Sequence, residues 1–312
     1  MKHSRTDTKL SAKCPAGITQ TAPVRRGGLR RLPRPVYGHI DSQSNILIPR
    51  RHKHTWAQLS YATQGYLQVW TPNARFIALA QRAVWIPAGV THQVVRQSPH
   101  TVIRSLYLDA GSLGLDWPIC RVLAVSPLLH ELIRRFSTLP VEYDTDGPDG
   151  RLAQVLVDQL AVSPDAGLIL PWPSDPRLQA VCRQLQNHPD SAPDLGAFSR
   201  RLGLSDKTLT RLFQQQTGLG FRLWRQRARL VHALPLLERG ERITDVALAC
   251  GYDSLSSFIA TFRAHTGVTP RAFALGTREA PLLSCRANTQ GHSGAAYHSM
   301  RMPKRPLTPE PA

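Results

Sequence analysis

The sequence lacks closely spaced cysteines. Its five cysteines are separated by long intervals and never form a C-x-x-C pair; they are Cys14, Cys120, Cys182, Cys250 and Cys285. Disulfide-stabilised secreted domains and zinc fingers both require cysteines at short, regular spacings. The cysteine pattern therefore argues against both classes and favours a reducing compartment, the cytoplasm.

Long apolar segments are also missing. No run approaches the roughly 18 apolar residues that a membrane-spanning helix needs. The first thirty residues contain no apolar core of the kind that secretory signal peptides carry. From the sequence we therefore expect neither a membrane protein nor a secreted one.

Acidic residues are scarce relative to basic ones. The chain has 21 Asp and Glu residues against 39 Lys and Arg residues, which gives a formal charge of +18 and a pI near 10.7. Such a charge favours a polyanionic partner. Residues 1–34 hold nine basic residues but only one acidic residue, Asp7. Because a run of charge without an apolar face cannot bury a core, we predict a flexible basic arm here that adds non-specific phosphate affinity.

The length of 312 residues suggests two domains. From Val36 to about Leu108 the apolar pattern has a period of two, in short segments rich in β-branched and aromatic residues that turn signals separate. This pattern predicts an all-β barrel or sandwich. The predicted strands contain residues 46–48, 59–61, 66–70, 76–79, 83–86 and 102–107.

Two amphipathic helices are predicted after the strands. Ser126 and Pro127 form a helix start, followed by an apolar stripe from Leu128 to Phe136, and a second stripe runs from Leu152 to Val162. These stripes either pack on their own β-domain or form a homodimer contact. The prolines between Leu170 and Pro176 predict an extended linker. We therefore predict a domain over 35–165, a linker over 166–176, a second domain over 177–275 and a disordered tail over 276–312.

The second predicted domain contains one pattern twice. Ser205 is followed by Leu209 four residues on, Phe213 eight residues on and Thr217-Gly218 after that. The same order recurs 49 residues later, with Ser254, Phe258, Phe262 and Thr266-Gly267. Gly203 and Gly251 precede the two copies.

This repeat has a direct physical interpretation. A glycine permits the left-handed turn that ends one helix, a serine caps the next helix, and apolar residues at i+4 and i+8 bury one face of that helix. The pattern predicts two helix-turn-helix units, over 194–215 and 243–265. Two such units joined by a long helix can place their second helices in successive major grooves, about 34 Å apart.

The exposed face of the first recognition helix carries residues that can read bases. Lys207, Arg211 and Gln214 lie at i, i+4 and i+7, accompanied by Thr208 and Thr210. Arg or Lys can bond to guanine O6 and N7, and Gln can pair with adenine. The alternative is that Lys207 and Arg211 contact phosphates only, which fixes register but reads no sequence.

The second recognition helix is more apolar. Its predicted DNA-facing residues are Ser254, Leu255, Ser256, Ile259 and Arg263, with Ala260 beside them. Such a surface can contact thymine methyl groups, and Arg263 is its one candidate for a bidentate base contact. The alternative is that Leu255 and Ile259 are simply core, and in either case we expect the first unit to dominate base reading.

The helix between the units begins near Phe221 and is rich in arginine. We expect most of Arg222, Arg225, Arg227 and Arg229 to face solvent or phosphate. Pro235 lies inside the same pattern and is expected to kink the helix or end it early.

The repeat and its surroundings resemble the AraC/XylS family of transcription regulators. The resemblance covers about 175–273 and rests on Gly203-Leu204-Ser205, Leu209, Leu212-Phe213, Thr217-Gly218, Arg225, Arg229-Leu230, Ala233, Leu236-Leu237, Gly240, Ile243, Val246-Ala247, Gly251-Tyr252, Ser254, Ser256, Phe258, Phe262-Arg263 and Gly267-Val268-Thr269-Pro270. It implies a seven-helix DNA-binding domain. It also implies base contacts from Lys207, Thr210 and Arg211 and from Leu255, Ser256, Ile259 and Ala260.

The first predicted domain contains two segments that resemble the cupin motifs. They are His52-Lys53-His54 with Gln58 and Gly65, and Pro87-Ala88-Gly89 with His92. Two histidines at i and i+2 on a strand share a face, so His52 and His54 can converge. The resemblance implies that His92 joins them from a neighbouring strand and that the three histidines hold a divalent first-row metal. Gln58 stands where metal cupins carry a glutamate, and it is a weaker, neutral donor. The alternative is a metal-free ligand pocket formed by the same four residues.

The fold class expected from these patterns is a two-domain α+β protein, with a cupin-like β-barrel followed by helices and an all-α domain with two helix-turn-helix units. The protein is expected to be a non-enzymatic regulator that binds double-stranded promoter DNA and responds to a small molecule. It is also expected to form a homodimer and to contact RNA polymerase. Cupin-containing members of the family suggest a neighbouring transporter gene as the target. Two alternatives stay open, a metal-dependent cupin enzyme with a DNA-binding appendage and an architectural protein that binds by charge alone.

Overall fold

The computed structural model describes residues 31–41, 51–63, 65–96, 101–115 and 117–276. Most of the predicted basic arm, the strand predicted over 46–48 and nearly all of the predicted tail lie outside these residues. Within them, no helix is both long enough and apolar enough to cross a membrane.

The sheet-rich part of the chain comprises residues 31–171. The nine strands in the described part of this region are β1 (Val36–Asp41), β2 (Ala57–Ala62), β3 (Tyr66–Trp70), β4 (Ala74–Leu79), β5 (Arg82–Ile86), β6 (Gln93–Arg96), β7 (Ile103–Leu108), β8 (Arg121–Ala124) and β9 (Leu168–Pro171). Valine, isoleucine and aromatic residues are frequent in β3, β4 and β5, which favours the pleated, buried conformation.

The strands form two antiparallel sheets, and the predicted closed barrel is not found among the described residues. One sheet has the order β1-β7-β2-β5-β8 and the other has the order β6-β3-β4-β9. Within the described ranges, the strands at the edges of the two sheets are not joined to each other into one continuous ladder. The pairing is extended there only by short isolated bridges, such as His52 with His92. In a closed barrel and in a pair of packed sheets alike, every second side chain of a strand points into the core. The alternating sequence pattern therefore could not distinguish a barrel from two sheets.

Two helices cover the sheet of β2 and β5. Helix α1 (Pro127–Phe136) begins at the predicted cap, where the Ser126 hydroxyl accepts a hydrogen bond from the Leu129 amide, and helix α2 (Pro148–Ala161) follows. Leu129, Ile133 and Phe136 pack into one core with Leu59 and Trp85 of the sheet. Most of both predicted stripes is therefore buried on their own sheet, but three of their members, Leu128, Val155 and Val162, are exposed.

Strand β9 corrects the predicted linker. The segment over 166–176 contains a strand that pairs with β4 in the register Phe76 to Ile169, and Leu168 and Leu170 are buried. The sheet-rich part therefore extends to Pro171, and only about four residues separate it from the next helix. The flanking prolines suggested a connector because they cannot donate to a ladder, but the edge position of β9 tolerates them.

The helical part of the chain, residues 176–276, contains seven helices as the family resemblance implied. They are α3 (Pro176–Asn187), α4 (Leu195–Leu202), α5 (Asp206–Thr217), α6 (Phe221–Glu238), α7 (Ile243–Ala249), α8 (Leu255–Thr266) and α9 (Pro270–Ala274). Pro235 does not end α6 early, because the helix continues to Glu238. Leu234 and Leu237 on either side of it are fully buried, and this packing offsets the lost backbone hydrogen bond.

The two parts share a core at their junction. Tyr66 and Leu170 of the sheets pack in the same cluster as Phe213, Trp224 and Phe258 of the helices. The Trp224 indole N–H donates to the Pro171 carbonyl at 2.7 Å, and the rings of Tyr66 and Phe273 lie 6.1 Å apart. The helical part is thus anchored on the last strand of the sheets.

Glu238 makes the stability of this junction dependent on pH. Its carboxylate lies beside Gly65, where an added Cβ would come within 2.9 Å of it, and burial raises its pKa from 4.5 to about 7. A carboxyl with a raised pKa stabilises the folded chain below pH 4.5, and this contribution is lost as the pH rises through 7. We therefore expect Glu238→Gln and the parent to have the same free energy of unfolding at pH 4.5. As the pH rises to 7, the variant should become progressively more stable than the parent, and it should stay more stable above pH 7. Because the side chain is half exposed, the gain should be on the order of 1 kcal/mol.

Urea unfolding of both chains at several pH values measures this difference. Glu241→Gln, which removes a half-buried carboxylate three residues further along that pairs with Arg239, serves as the control. A constant difference between Glu238→Gln and the parent at all pH values would contradict the assignment.

Candidate DNA-reading helices and histidine cluster

Helix α5 is fixed at its start by the residues that the repeat predicted. Gly203 ends α4 in the left-handed conformation with φ of 65°, and the Ser205 hydroxyl accepts a hydrogen bond from the Thr208 amide at 3.2 Å. On the inner face, Leu209 and Phe213 are fully buried. The helix is therefore held rigidly, with its opposite face available to a partner.

The outer face of α5 carries most of the predicted reading residues. Lys207, Thr210 and Arg211 are exposed, and Thr208 is half-buried with its hydroxyl 2.9 Å from the Ser205 hydroxyl. Gln214 is also exposed, but its amide donates to the Gly218 carbonyl at 2.9 Å. Gln214 therefore caps the end of its own helix, and it must give up that hydrogen bond before it can pair with a base.

Helix α8 repeats this construction. The Ser254 hydroxyl accepts a hydrogen bond from the Ser257 amide at 3.2 Å, and Phe258 and Phe262 are fully buried. On the other side Ser254, Leu255, Ser256 and Arg263 are exposed and Ile259 is half-buried. Of the two interpretations of Leu255, a DNA-facing residue or a core residue, the alternative of a core residue is wrong, because 38% of its surface is exposed.

Three of the four arginines of α6 do not have the predicted role. Arg225 donates to the Ala192 carbonyl, Arg227 to the Ile169 carbonyl and Arg229 to the Pro189 carbonyl, at 2.8, 2.8 and 3.3 Å. Only Arg222 is exposed. These three arginines lie close to the buried Trp224 and Ala228 on α6. That proximity was the available sequence signal that their guanidinium groups bind other parts of the protein rather than phosphate.

The predicted histidines converge in the sheet-rich part. His52 and His92 face each other across an antiparallel bridge, with His52 N donating to His92 O at 3.0 Å and the reverse bond at 2.8 Å. One ring nitrogen of each of His52, His54 and His92 lies within 4.8 Å of the others. His92 is fully buried, and the other two are half-buried.

Gln58 completes this cluster from strand β2. Its carbonyl oxygen lies 3.0 Å from His54 Nε2 and 3.2 Å from His92 Nε2. Its amide nitrogen donates to Ser60 Oγ at 2.9 Å, and Ser105 Oγ lies 3.4 Å away. Serine hydroxyls on the amide side therefore keep the Gln58 oxygen directed at the histidines.

Backbone carbonyls fix the tautomers of two of the rings. His54 Nδ1 donates to the Trp56 carbonyl at 2.6 Å, and His92 Nδ1 donates to the Val90 carbonyl at 2.9 Å. Burial lowers the pKa of His92 to about 4, so this ring is neutral at pH 7. A neutral ring with its proton on Nδ1 presents a lone pair at Nε2, which is the arrangement found in metal-ligating histidines.

The residues that the sequence assigned to chemistry thus form two sites, a pair of capped helices with polar outer faces and a buried cluster of imidazoles. A ligand-binding sheet domain followed by a helix-turn-helix domain defines a DNA-binding transcription regulator. The residues 198–275 match the family model of a helix-turn-helix domain, and 35–215 match that of an AraC-like ligand binding domain. The chain belongs to the AraC/XylS family of transcription regulators.

Two sequence relatives agree with this assignment. The chain is similar to the HTH-type transcriptional regulator NimR of Escherichia coli, with 32% identity over 231 residues that cover 74% of this chain and 84% of NimR. It is 30% identical over 151 residues to the HTH-type transcriptional activator RhaR of Yersinia pestis, covering 46% of this chain and 51% of RhaR. Among solved structures, a DNA-binding transcriptional dual regulator from Escherichia coli is 26% identical, with a TM-score of 0.31 over 33% of this chain and all of the other.

Proposed function

We propose that this regulator reads a specific operator through two helix-turn-helix units, α4 with α5 and α7 with α8, under the control of a small ligand bound by the sheet-rich part. The observation that carries the proposal is the outer face of α5. There Lys207 and Arg211 stand exposed, one turn apart, on a helix whose opposite face is fully buried. A rigid helix with two free cations on one stripe has the geometry of a major-groove reader.

The second unit contributes less to base discrimination in this proposal. Ser256 and Arg263 are the polar residues on the outer face of α8, while Leu255 and Ile259 offer apolar contacts that suit thymine methyl groups. Both helices begin with a capped amide end, which also favours phosphate contacts. The second unit therefore supplies register and methyl contacts, and the first unit supplies the hydrogen bonds that select bases.

The histidine cluster is the proposed effector site, and a divalent first-row metal fits it. Lone pairs of His54 and His92 and the Gln58 carbonyl oxygen point into one space, and a ring nitrogen of His52 lies within 4.8 Å. The hydrogen bonds of the Nδ1 atoms to carbonyls supply the outer support that metal-binding imidazoles require. When bound, the metal would supply a Lewis-acid centre for an organic effector, and the four residues would hold and orient it.

A metal-free ligand pocket with the same residues is the second candidate for this site. The enzyme alternative rests on the same cluster, but the curated relatives are named as regulators, and we propose sensing rather than turnover. The remaining parts of the proposal are a cytoplasmic location, a homodimer, contact with RNA polymerase at a promoter and control of a neighbouring transporter gene.

Gel-shift titration tests the proposed function directly. The purified full chain is titrated onto the intergenic DNA beside its own gene, with a scrambled sequence of equal composition as competitor, at physiological salt. Selective retention, by about 4–10 kcal/mol over the scrambled DNA, is expected of a specific regulator. Equal retention of both DNAs, with a steep dependence on salt, would instead support binding by charge alone. If the intergenic DNA fails, selection from random-sequence DNA locates a distant operator.

Arg211→Ala is expected to weaken binding to the operator by about 1–3 kcal/mol and to relax the preference at one base pair. The reason is that the exposed Arg211 guanidinium is the strongest candidate for a bidentate bond to guanine. Arg151→Ala removes an exposed arginine of α2 in the sheet-rich part and serves as the control. Binding to a panel of single-base operator variants gives the measurement, and an equal loss on every sequence would mean that Arg211 contacts only phosphate.

A further inference from the structure

Helix α8 is held at its carboxyl end by a side chain from the sheet-rich part. The Arg82 guanidinium, at the start of β5, donates to the Thr266 carbonyl at 2.6 Å and lies 3.5 Å from the His265 carbonyl. Arg82 and Thr266 are 184 residues apart in sequence, so this contact depends on how the two parts pack. Gly267 allows the close approach, since an added Cβ there would lie 3.3 Å from the guanidinium.

The internal repeat shows that this contact is specific to the second unit. Helix α5 ends in the same Thr-Gly pair, and there Gln214 of the helix itself donates to the Gly218 carbonyl. The position 49 residues after Gln214 is Arg263, which stands exposed on the outer face of α8. The first recognition helix thus caps its own end, whereas Arg82 of another part of the fold binds the end of the second.

The contact between Arg82 and the carboxyl end of α8 has a defined direction because of the charges and hydrogen-bonding groups at a helix end. The last carbonyls of a helix have no partner within the helix, and the carboxyl end carries partial negative charge. A guanidinium there forms charge-assisted hydrogen bonds, which are shorter and stronger than neutral ones. Arg82 is half-buried between β5 and α8, so water competes weakly for these bonds. The angle of α8 is therefore set in part by the position of β5.

We propose that Arg82 is a positioning residue for DNA reading, through which the sheet-rich part fixes the second recognition helix for its half-site. This inference rests on the proposed function, in which α8 enters a major groove. It does not require Arg82 to touch DNA. It predicts that the benefit of the second half-site depends on a residue outside the DNA-binding domain.

The test compares two DNAs and four full-length proteins. One DNA carries the complete operator found by selection, and in the other the second half-site is scrambled. The proteins are the parent, Arg82→Gln, Arg82→Lys and a control, Arg121→Gln. The control removes an arginine of β8 in the same sheet, where it pairs with Asp165 rather than with the helical part.

On the complete operator, Arg82→Gln is expected to bind about five-fold more weakly than the parent, as the loss of one to two hydrogen bonds implies. Arg82→Lys, which keeps the charge but not the two-pronged donor, should fall between them. On the scrambled DNA, the parent and both Arg82 variants should bind equally. Hydrogen exchange of the amides over 255–266 should be faster in Arg82→Gln, and Arg121→Gln should match the parent throughout.

Three outcomes would overturn the assignment. An equal loss of affinity on both DNAs would show a general structural role, and no loss on either would show that the contact does not position α8. If the parent itself binds both DNAs equally, the reading role of the second unit is wrong, and the proposed function fails together with this inference. If the parent does discriminate between the two DNAs, each of the first two outcomes contradicts the inference alone.

Discussion

Trp224→Ala is expected to lower the free energy of unfolding of the full chain by about 3–5 kcal/mol, the range for removing a large buried aromatic side chain. Trp224 is fully buried in α6 and packs against Phe213, with ring centroids 5.8 Å apart, and near Trp172 at 6.3 Å. Its indole N–H also donates to the Pro171 carbonyl at the end of β9. Alanine would leave a cavity at the junction and an unpaired backbone carbonyl.

Two further variants separate these contributions. Trp224→Phe keeps most of the ring but cannot donate a hydrogen bond, so we expect a smaller loss of about 1–3 kcal/mol. Arg222→Ala, two residues earlier on the exposed side of α6, should change stability by less than about 0.5 kcal/mol. Urea unfolding followed by circular dichroism measures all three. A loss for Trp224→Ala below that of Trp224→Phe would mean that the junction does not depend on this side chain.

The helical part was predictable because its signals are local. Ser205, Ser254 and Gly203 act within a few residues of their own positions, through caps and a left-handed turn, and the structure places each as predicted. The spacing of Leu209 and Phe213 also fixed which face of α5 is buried. Once the buried face of each recognition helix is known, the remaining face must be the outer one. The exposure of the candidate reading residues could therefore be predicted from the sequence. Their contacts with DNA remain predictions.

The sheet-rich part was harder because its contacts are long-range. Strand β9 pairs with β4, some ninety residues earlier, and nothing near Leu168 or Pro171 in sequence indicates that partner. Arg82, Arg225 and Arg227 are comparable cases, because each binds a backbone carbonyl at least thirty residues away. Every residue type has a backbone carbonyl, so the sequence does not show which carbonyl an arginine will bind. Sequence reasoning therefore assigned Arg225 and Arg227 to solvent or phosphate, which are the common environments of an arginine, and assigned no role to Arg82.

The histidine cluster could be predicted from the sequence only in part. The spacing of His52 and His54 predicted a shared face, and the structure brings His92 Nε2 to 3.2 Å from the same Gln58 oxygen that lies beside His54 Nε2. What the sequence did not contain is the orientation of each ring. That orientation comes from the Trp56 and Val90 carbonyls, which bind the Nδ1 protons and turn the Nε2 lone pairs inward. Ring orientation, rather than the presence of histidine, is what distinguishes a metal site from a polar core.

His92→Ala is expected to abolish the binding of a divalent first-row metal, with an affinity at least about 100-fold below that of the parent. Loss of an outer-shell partner alone costs about 10–100-fold, and His92 would be a direct ligand. His92 is fully buried at the centre of the cluster, 4.4 Å from the His52 ring and 5.0 Å from the His54 ring, so a neighbour cannot replace it. Metal content of the purified chain after dialysis, and titration with Co²⁺ followed by its visible absorption, measure the difference. His188→Ala, an exposed histidine on the helical part, is the control.

Gln58→Glu gives the opposite prediction at the same site. A carboxylate retains the oxygen that faces His54 and His92 but adds a negative charge, which a divalent cation favours over a neutral amide. We therefore expect Gln58→Glu to bind metal more tightly than the parent and to gain more thermal stability from saturating metal, since a ligand that binds only the folded state stabilises it by mass action. If neither the parent nor Gln58→Glu binds metal, the lone pairs must be serving an organic ligand with hydrogen-bond donors. The metal-free pocket would then become the better account of how this regulator senses its effector.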